Sequence, residues 1–561
     1  MNCMRRFAVP MITAAVLALP ILPTAAFAES TLTGVVESGE LRIAQAEVTL
    51  YRAGRIDGEP ADMLGSAVSD ADGKFSINYV LPRPNDVLYA IARQGSPLSV
   101  DAKASRSLAG PTSRFTELAA VLGTASGVPA NAYLNELTTV ATAYAMSRFL
   151  DGRNIAGPSP GLQNAAATAA NLTDVATGGL STVLVTRPNG PATSTRAQFN
   201  SLANLLAACI QARTTKPCDL LSQLSWSGRG PAPTNTLAAI HQIALNPWNN
   251  VDQLFGLSTL SNTYRPSLGA GQKPDAWTIA LTYVGNGREF DGPGNMAIDK
   301  DGNVWSTNNY VFGRDPTKTA CGGKQVLKLA PTGEDAPGAP YTGGGVDGAG
   351  FGIAIDQKGR AWVANFGFSG RGCESPPPAN SVSLFSSTGK ALSPPPGFTN
   401  GPINRPQGTV VDQKGNLWIA NSGADKLGRY TITKYVDGDP RRFRNCRHKL
   451  LNEPFDLAVE HSGNVWVSNS GGDTVIKLAP DCTLLAAFGL PGTQSAGTFK
   501  RPLGLAVDSR GNVWVANSLG ASVTRINTDG RANQFFSAVW TLAPSELCAQ
   551  GGPLGGVGRS T

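Results

Sequence analysis

The chain has 561 residues, with 47 lysines and arginines against 40 aspartates and glutamates, a formal net charge of +7. Only 16% of the residues are charged, which excludes a highly charged disordered chain. The 64 glycines and 39 prolines favour a turn-rich, mainly β protein over a helical bundle, and three histidines in total exclude a histidine-rich metal site.

The first 28 residues have the pattern of a signal peptide. Arg5 and Arg6 precede an apolar run, and Ala26-Phe27-Ala28 matches the small-x-small pattern of a signal-peptidase site. The alternative is a transmembrane anchor, but prolines at positions 10, 20 and 23 interrupt the run. We therefore predict export to the periplasm or the extracellular space, with residues 1–28 removed and no integral membrane segment remaining. The mild, scattered positive charge predicts no nucleic-acid partner.

Residues 29–105 alternate short β-rich runs, at 31–36, 46–51, 74–80 and 87–92, with turns. Asp70 and Asp72 lie in a turn before one of these runs, where a hairpin turn is the main interpretation and calcium binding the alternative. The segment resembles the small carboxypeptidase-regulatory-like β-sandwich, which implies a scaffold or adhesive module. The residues that carry this resemblance are Ala46, Val48 and Leu50 in a strand, followed by Asp70, Gly73 and Phe75.

Residues 106–270 have helical periodicity. Apolar residues recur at helical spacing over 132–150, and the pattern continues over 163–175, 195–212 and 236–244. His241 lies between two isoleucines of one such segment, which is typical of a packed core histidine. Cys209 and Cys218 bracket the end of one helix, and their short separation predicts a local disulfide. We predict a helical domain of unknown role.

Residues 271–550 contain five copies of one unit. In each copy an acidic residue stands six positions before a tryptophan, and an asparagine stands three positions after it. An apolar run ends at an Asp-x-x-Gly-Asn turn, and a strand of the type Val-Trp-Val-Ala-Asn returns beside it. Two further strands complete each unit of 48 to 57 residues, counted between tryptophans 305, 362, 418, 466 and 514. Four antiparallel strands per unit predict a propeller blade.

The unit over residues 502–518, Pro-x-Gly-x-Ala-Val-Asp-x-x-Gly-Asn-Val-Trp-Val-Ala-Asn-Ser, resembles NHL-type and streptogramin-lyase-like propeller repeats. The resemblance implies a propeller that usually has six blades. Five are plain in this chain, and the sixth would combine residues 540–542 with an N-terminal closing strand at 277–283, leaving no open sheet edge. The expected fold is therefore mainly β: a small β-sandwich, a helical domain, a propeller, and a glycine-rich tail over residues 551–561.

The asparagines of the repeat are the candidate binding residues. Long insertions at 310–323, 366–380 and 435–450 are expected on the face where the Trp-x-x-Asn strands end, and loops on a rigid scaffold are common binding sites. Amides at the mouth of the central channel would suit a polar ligand, whereas capping strands and bridging blades is the alternative role. The candidates are Asn308, Asn365, Asn421, Asn469 and Asn517.

A metal-dependent enzyme is the alternative to a binding protein. The streptogramin-lyase-like resemblance implies a histidine general base and an acidic magnesium ligand, but these five copies carry asparagine where the family's repeats often carry glutamate. His448 and His461 do not fall at an equivalent strand end. The run from Asp299 to Asn303 lacks the later glutamate of a calcium loop, so it is interpreted as a turn. We identify no catalytic residue, metal site or cofactor; a divalent metal is expected only for the enzyme alternative.

Seven cysteines remain once the signal peptide and Cys3 are removed, and an exported protein is expected to oxidise them. Cys321 and Cys373 occupy corresponding loops of adjacent blades, and we predict that they pair. Cys446 with Cys482 is a further predicted pair, which leaves Cys548 as the candidate free thiol.

Taken together, these patterns predict an exported recognition or scaffold protein whose propeller binds a protein or glycan through its loop-rich face. The alternative is a streptogramin-lyase-like or lactonase-like metal-dependent enzyme that uses the central channel. A basic stretch over residues 441–449 is interpreted as a solvated loop, with an anionic polysaccharide or lipid surface as the alternative partner. The sequence does not determine the oligomeric state.

Overall fold

A computed structural model describes residues 29–94, 96–98, 113–283, 292–311, 321–370, 373–508 and 510–536. The predicted signal peptide, Cys548, residues 540–542 of the expected sixth blade and the glycine-rich tail lie outside these residues. None of the helices in the described part of the chain combines the length and apolar character that crossing a bilayer requires.

The N-terminal strands form two facing sheets. The strands are β1 (Glu29–Ser38), β2 (Leu41–Ala44), β3 (Glu47–Arg52), β4 (Asp62–Val68), β5 (Lys74–Val80), β6 (Val87–Arg93), β7 (Ser96–Leu98), β8 (Glu117–Thr124) and β9 (Asn131–Leu134). One sheet has the order β5-β1-β2-β7 with β9 also paired to β1, and the other has the order β4-β3-β6-β8. Phe75, Ile77 and Tyr79 alternate with exposed residues along β5, as a strand with one buried face requires.

Two of these strands correct the sequence analysis, which assigned residues 106–270 to a helical domain. β8 extends one sheet, and β9 pairs in parallel with β1. The predicted helix over 132–150 therefore starts later, after Asn135, whose side chain accepts a hydrogen bond from the backbone N–H of Thr138 at 3.1 Å. A four-residue run of this kind is compatible with a helix or with a strand. Here it forms a strand, because β1 offers an edge with which it pairs.

Seven helices follow within the described residues: α1 (Glu136–Ala145), α2 (Gly161–Leu172), α3 (Thr182–Val185), α4 (Thr195–Ile210), α5 (Lys216–Ser225), α6 (Thr236–Leu245) and α7 (Val251–Ser258). Two short hairpins lie among them: β10 (Leu150–Asp151) with β11 (Asn154–Ile155), and β12 (Thr173–Asp174) with β13 (Gly179–Leu180). A single hydrophobic core joins these helices to the sheets, with Leu118 of β8, Val140 of α1 and Leu202 of α4 among its members.

The edge of β8 is covered by helix hydroxyl groups. The backbone N–H of Ala119 donates to Thr139 at 3.0 Å, and that of Val121 donates to Thr142 at 3.2 Å, both from α1. Glu117 N–H donates in the same way to Thr236 of α6 at 3.0 Å. Alternate donors of an edge strand are thereby paired, which prevents their exposure to another chain.

Residues 277–283 were expected to form the closing strand of the propeller, and this expectation is wrong. The segment contains no strand, and it packs on the helices instead. Trp277 is fully buried, its backbone N–H donates to the carbonyl of Pro247 at 2.7 Å, and its carbonyl accepts from the hydroxyl of Tyr144 at 2.8 Å. Thr195 of α4 likewise donates to the carbonyl of Ala280 at 2.9 Å.

The C-terminal part is a β-propeller, of which the described residues supply five blades. Blade 1 contains β14 (Pro293–Ile298), β15 (Val304–Asn308), β18 (Gln325–Leu329) and β19 (Tyr341–Thr342), and blade 2 contains β20 (Ile353–Ile355), β21 (Ala361–Asn365) and β22 (Ser381–Phe385). Blade 3 contains β23 (Pro406–Val411), β24 (Leu417–Asn421), β25 (Thr431–Tyr435) and β26 (Phe443–Cys446), and blade 4 contains β27 (Pro454–Val459), β28 (Val465–Asn469), β29 (Thr474–Leu478) and β30 (Leu484–Phe488). Blade 5 contains β31 (Pro502–Val507), β32 (Val513–Asn517), β33 (Ser522–Ile526) and β34 (Ala532–Phe536). A small hairpin, β16 (Tyr310–Val311) with β17 (Cys321–Gly322), projects from blade 1. The first strands of successive blades contact one another in chain order and so line the propeller axis.

Each blade contains the same carboxylate–tryptophan contact. In blade 3, Asp412 accepts hydrogen bonds from the backbone N–H groups of Lys414 and Asn416 and, at 2.9 Å, from the indole N–H of Trp418. A lysine of the third strand, Lys434, lies 4.5 Å from the Trp418 ring centroid. The other pairs, at 3.0 to 3.2 Å, are Asp299 with Trp305, Asp356 with Trp362, Glu460 with Trp466 and Asp508 with Trp514.

In blade 4 these contacts stabilise the ionised carboxylate. Burial opposes ionisation of Glu460, but side-chain hydrogen bonds from Ser462, Lys477, Asn464 and Trp466 together lower its pKa to about 2. Where blade 2 has Leu384 opposite its tryptophan, Arg360 of the turn supplies the cation, 2.7 Å from Asp356. Blade 2 therefore keeps a cation beside its turn carboxylate, although its third strand lacks a basic residue opposite the tryptophan.

The predicted cysteine pairs lie at disulfide-bonding distance. Cys321 of the blade 1 hairpin bonds to Cys373 of blade 2, with Cα atoms 5.3 Å apart, and Cys446 of blade 3 bonds to Cys482 of blade 4, with Cα atoms 5.1 Å apart. The third pair, between Cys209 of α4 and Cys218 of α5, has Cα atoms 4.5 Å apart. Two of the three bonds thus connect neighbouring blades.

We expect Trp418→Phe to reduce the free energy of unfolding by about 3 kcal/mol, because it leaves a cavity and removes a donor from a buried carboxylate. Trp514→Phe is the matched control, since this tryptophan is 37% exposed whereas Trp418 is fully buried. Its loss should be about 1 kcal/mol. Urea denaturation followed by far-ultraviolet circular dichroism measures both. Equal losses for the two variants would contradict the assigned role.

Candidate binding site at the loop face

The propeller has two faces of different construction. The turn face carries the Asp-x-x-Gly turns that join the first and second strands, and the loop face carries the ends of the second strands at Asn308, Asn365, Asn421, Asn469 and Asn517. Insertions 310–323 and 366–380 follow these asparagines, although residues 312–320 and 371–372 lie outside the described part.

The insertion over 435–450 was assigned to the loop face, and the structure corrects this. Its first part is the turn between β25 and β26, where the N–H of Asp437 donates at 3.0 Å to Asn416 of the blade 3 turn. This places residues 436–442 on the turn face. The basic stretch over 441–449, expected as a loop, instead contains the outer strand β26, where positive charge protects an exposed sheet edge.

The five asparagines are buried at the strand ends, with at most 1% of each residue exposed. In blade 3 the Asn421 amide donates to the hydroxyls of Thr431 and Thr433 at 3.0 and 2.9 Å, while its oxygen accepts from the N–H of Asn404 at 3.3 Å. Asn365, Asn469 and Asn517 make corresponding contacts with third-strand hydroxyls. These four amides therefore connect three segments of their own blade, whereas, among the described residues, Asn308 of blade 1 only accepts from the N–H of Gly292 at 3.0 Å.

We expect Asn421→Ala to reduce the free energy of unfolding by about 2 kcal/mol, because it removes the partner of buried hydroxyl and N–H groups. Ser422→Ala, which removes the adjacent, partly exposed hydroxyl and its bond to the carbonyl of Arg405, is the control and should change stability by only about 0.5 kcal/mol. Chemical denaturation measures both variants. An Asn421→Ala variant of unchanged stability would instead favour a role for this amide in ligand binding.

The three histidines lie apart from one another. His241 of α6 is largely buried, its Nε2 lies 3.0 Å from the carbonyl of Ser147, and burial lowers its pKa. His448 accepts from the N–H of Leu450 at 3.2 Å, and His461 is exposed in the blade 4 turn. Within the described residues, no group of three or more histidine, cysteine, aspartate or glutamate side chains is placed to hold a metal ion.

Both aspartate-rich runs that were compared with calcium sites form turns. Asp299 accepts from the N–H groups of Asp301 and Asn303, each at 3.0 Å. Asp70 does the same for Asp72 and Lys74, at 2.9 and 2.8 Å. Each carboxylate is therefore engaged by its own turn, as the main interpretation of these sequences predicted.

Five aromatic rings form a continuous cluster at the loop face, which we call the aromatic cluster: Tyr310, Phe351, Phe366, Phe368 and Phe455. Phe368 is at its centre, with ring centroids 5.2 Å from Tyr310, 4.5 Å from Phe366 and 5.7 Å from Phe351. Phe351 of blade 2 also lies 5.4 Å from Phe455 of blade 4, so the cluster extends past the inner strand of blade 3. All except Phe366 are partly exposed.

The first strands contain a β-bulge beneath this cluster. In blades 1, 3, 4 and 5 the pairing with the second strand shifts after the opening proline, for example between Pro454 and Leu457. A bulge redirects side chains and is common beside binding sites. In blade 4 the two bulged residues are Phe455 and Asp456, which places an acidic side chain on the strand that lines the axis.

Asp456 is held between three blades. Its Oδ1 accepts from the N–H of Leu457 at 2.9 Å, and its Oδ2 accepts from the N–H of Leu505 in blade 5 at 3.1 Å. On the other side, Oδ1 lies 2.9 Å from the position that a Cβ on Gly408 of blade 3 would take. Desolvation in this confined position raises the pKa of Asp456 to about 6, although the two N–H groups oppose the rise.

The sequence contained a signal for this carboxylate that the sequence analysis missed. The residue four positions before the turn acid is Asn295, Gly352, Gly408, Asp456 and Gly504 in the five copies. One charged residue among small or neutral ones marks a departure from the repeat. The aromatic cluster had no comparable signal, because its members come from three blades and only Phe351 and Phe455, each five positions before the turn acid, share a position of the unit.

Comparisons with known proteins give a likeness of fold only. No protein-family model and no curated protein matches the chain. Among solved structures, a catalytically inactive virginiamycin B lyase from Staphylococcus aureus with quinupristin is 15% identical, with 45% of this chain and 72% of that chain covered and a TM-score of 0.32. A gluconolactonase from Xanthomonas campestris is 16% identical, with 45% and 78% covered and a TM-score of 0.32. A chain of the nidogen/laminin complex is 17% identical, with 44% and 80% covered and a TM-score of 0.30.

The raised pKa of Asp456 gives its contribution to stability a definite sign. The folded protein holds this proton more tightly than the unfolded chain, so the contribution is full below about pH 4 and is lost as the pH rises through about 6. Relative to Asp456→Asn, the wild-type protein should therefore lose about 2 kcal/mol of unfolding free energy between about pH 4 and pH 7. Urea denaturation across this range measures the difference. Parallel stability curves for the two proteins would show that the pKa is unshifted.

Proposed function

We propose that this chain is an exported recognition protein that binds a protein or glycan ligand through the loop face of its propeller. The observation that carries the proposal is the aromatic cluster. Five rings from blades 1, 2 and 4 meet where the inner strands begin, and four of the five remain partly exposed.

Partly exposed aromatic rings suit ligand contact better than scaffold stability. Rings of this kind bury large apolar areas with few rotatable bonds, and they are enriched among residues that dominate binding energy. A flat ring face accepts either an apolar side chain or the C–H face of a sugar ring. The three fully buried tryptophans of the propeller blades, Trp305, Trp362 and Trp418, show how rings that serve stability alone are placed in this fold.

The loops that carry the cluster are held by covalent and polar contacts. The disulfide between Cys321 and Cys373 ties the blade 1 hairpin to the segment that follows Phe368. Phe351 is positioned by its carbonyl, which accepts from the Asn295 amide at 2.9 Å. A preformed surface of this kind loses little conformational entropy on binding.

Three disulfides and the signal-peptide pattern of residues 1–28 support export. Disulfides persist in oxidising compartments and are rare in the cytosol. Two of the three connect different blades, so their loss would affect the relative placement of the blades that form the cluster.

The proposal is tested with the double variant Phe351→Ala, Phe368→Ala, which removes the centre of the aromatic cluster. The purified mature protein is applied to an array of defined oligosaccharides and to an array of dodecapeptides. For probes that bind the wild type, we expect at least a tenfold loss of affinity in the double variant, in line with the energy of two buried rings.

Phe443→Ala is the control for this experiment, because Phe443 is 42% exposed on the outer strand of blade 3, away from the cluster. It should bind as the wild type does. Equal binding by the wild type and the double variant would remove the aromatic cluster from the site, and the same probes would then identify whether another surface is used.

A further inference from the structure

We propose that Asp456 and the aromatic cluster together form a site for an organic cation, the lysine or arginine side chain of a protein ligand. This inference rests on the proposed function and specifies the chemistry of the ligand. It follows from three features of the loop face: a carboxylate with no basic partner among the described residues, the partial exposure of that residue, and an aromatic ring of the cluster on the same bulge.

The carboxylate of Asp456 is the first feature. Its two hydrogen bonds come from backbone N–H groups, and within the described part of the chain no charged group contributes to its pKa. The turn acids of the same propeller are different, since Asp299, Asp356 and Glu460 each form an ion pair with a lysine or arginine. A confined carboxylate without a counter-ion is unfavourable unless a ligand supplies the charge.

The partial exposure of Asp456 is the second feature. Gly408 of blade 3 is closely packed against this residue on one side, and the N–H of Leu505 in blade 5 binds Oδ2 on the other. Among the described residues Asp456 nevertheless remains partly exposed.

The aromatic rings are the third feature. Phe455 directly precedes Asp456 in the bulge, and its ring lies 5.4 Å from that of Phe351. A cation over an aromatic face is attracted by the ring's quadrupole, and the attraction is stronger where water is excluded. The cluster already binds one cation of its own chain, since the guanidinium carbon of Arg405 lies 4.5 Å from the Phe366 centroid.

A structural role for Asp456 is the competing explanation, because its Oδ2 ties blade 4 to blade 5. The two roles differ in what they require. A hydrogen-bond acceptor for Leu505 can be supplied by a neutral amide oxygen, whereas binding a cation requires the negative charge. The variant Asp456→Asn therefore separates the roles.

The experiment measures fluorescence anisotropy of a labelled nine-residue Gly-Ser peptide that has a single central lysine or arginine. The same peptide with norleucine at the centre is the neutral control. We expect the wild-type protein at about pH 8 to bind the basic peptides at least tenfold more tightly than the norleucine peptide. Asp456→Asn should abolish this preference, and Phe351→Leu should reduce it severalfold while Asp456 remains in place.

Asp529→Asn is the matched control for general charge effects, since this carboxylate is exposed in the outer turn of blade 5. It should leave the preference unchanged. Lowering the pH from about 8 to about 5 should weaken binding of the lysine peptide by about tenfold in the wild type, because a carboxyl with a pKa of about 6 is then mostly protonated. Asp456→Asn should show no such change.

Equal binding of the norleucine and lysine peptides, or an Asp456→Asn variant that folds and keeps the preference, would overturn the cation site. Binding of a glucosamine trimer without binding of the basic peptides would overturn the assignment to a protein side chain. If the preference is absent while Phe351→Ala, Phe368→Ala still abolishes array binding, the cation site falls and the proposed function stands. If Asp456→Asn keeps the preference for basic peptides and the double variant keeps array binding, both proposals are wrong.

Discussion

The propeller depends on one hydrogen bond, from a tryptophan indole to the acidic residue six positions before it. In blade 3 the Asp412 carboxylate accepts this bond and also fixes its own turn by accepting the N–H groups of Lys414 and Asn416. One side chain thus sets the turn and its pairing with the returning strand. The lysine over the ring extends the contact to the third strand of the blade, since Lys434 lies opposite Trp418 in the sheet. Because the contact is complete within one blade, the blades repeat with little else in common.

The two faces of the propeller consequently carry different kinds of contact. The stabilising carboxylates lie on the turn face, and the cations that accompany them also reach the neighbouring blade: Lys328 donates to Ser387, and Lys434 donates to Pro480. Among the described residues, the loop face carries no equivalent repeated contact beyond the buried asparagines. Its residues are consequently free to differ from blade to blade, and the aromatic cluster and Asp456 arise from such differences. Under the proposed function, ligand contacts would be confined to positions where the repeat does not have to be preserved.

How much of this was predictable from the sequence depended on whether the determining contacts are local. The hairpins followed from the spacing between acid and tryptophan, because the two residues contact each other six positions apart. The strand Asn131–Leu134 was mistaken for helix, because its partner β1 lies nearly 100 residues earlier and a short apolar run fits both structures. The prediction of a closing strand over residues 277–283 was wrong for the same reason, since the partners of this segment are helices and not strands. Phe351 and Phe455 meet only through the curvature of the propeller, which no local pattern records.

The hydroxyl groups that cover the edge of β8 have a consequence for where the segment before the propeller can be divided. Three edge donors of β8 depend on threonines of α1 and α6. Separating the two N-terminal sheets from the helices would leave those donors unpaired and would expose the hydrophobic core that the sheets and the helices share. A boundary drawn between sheets and helices would therefore divide one folding unit.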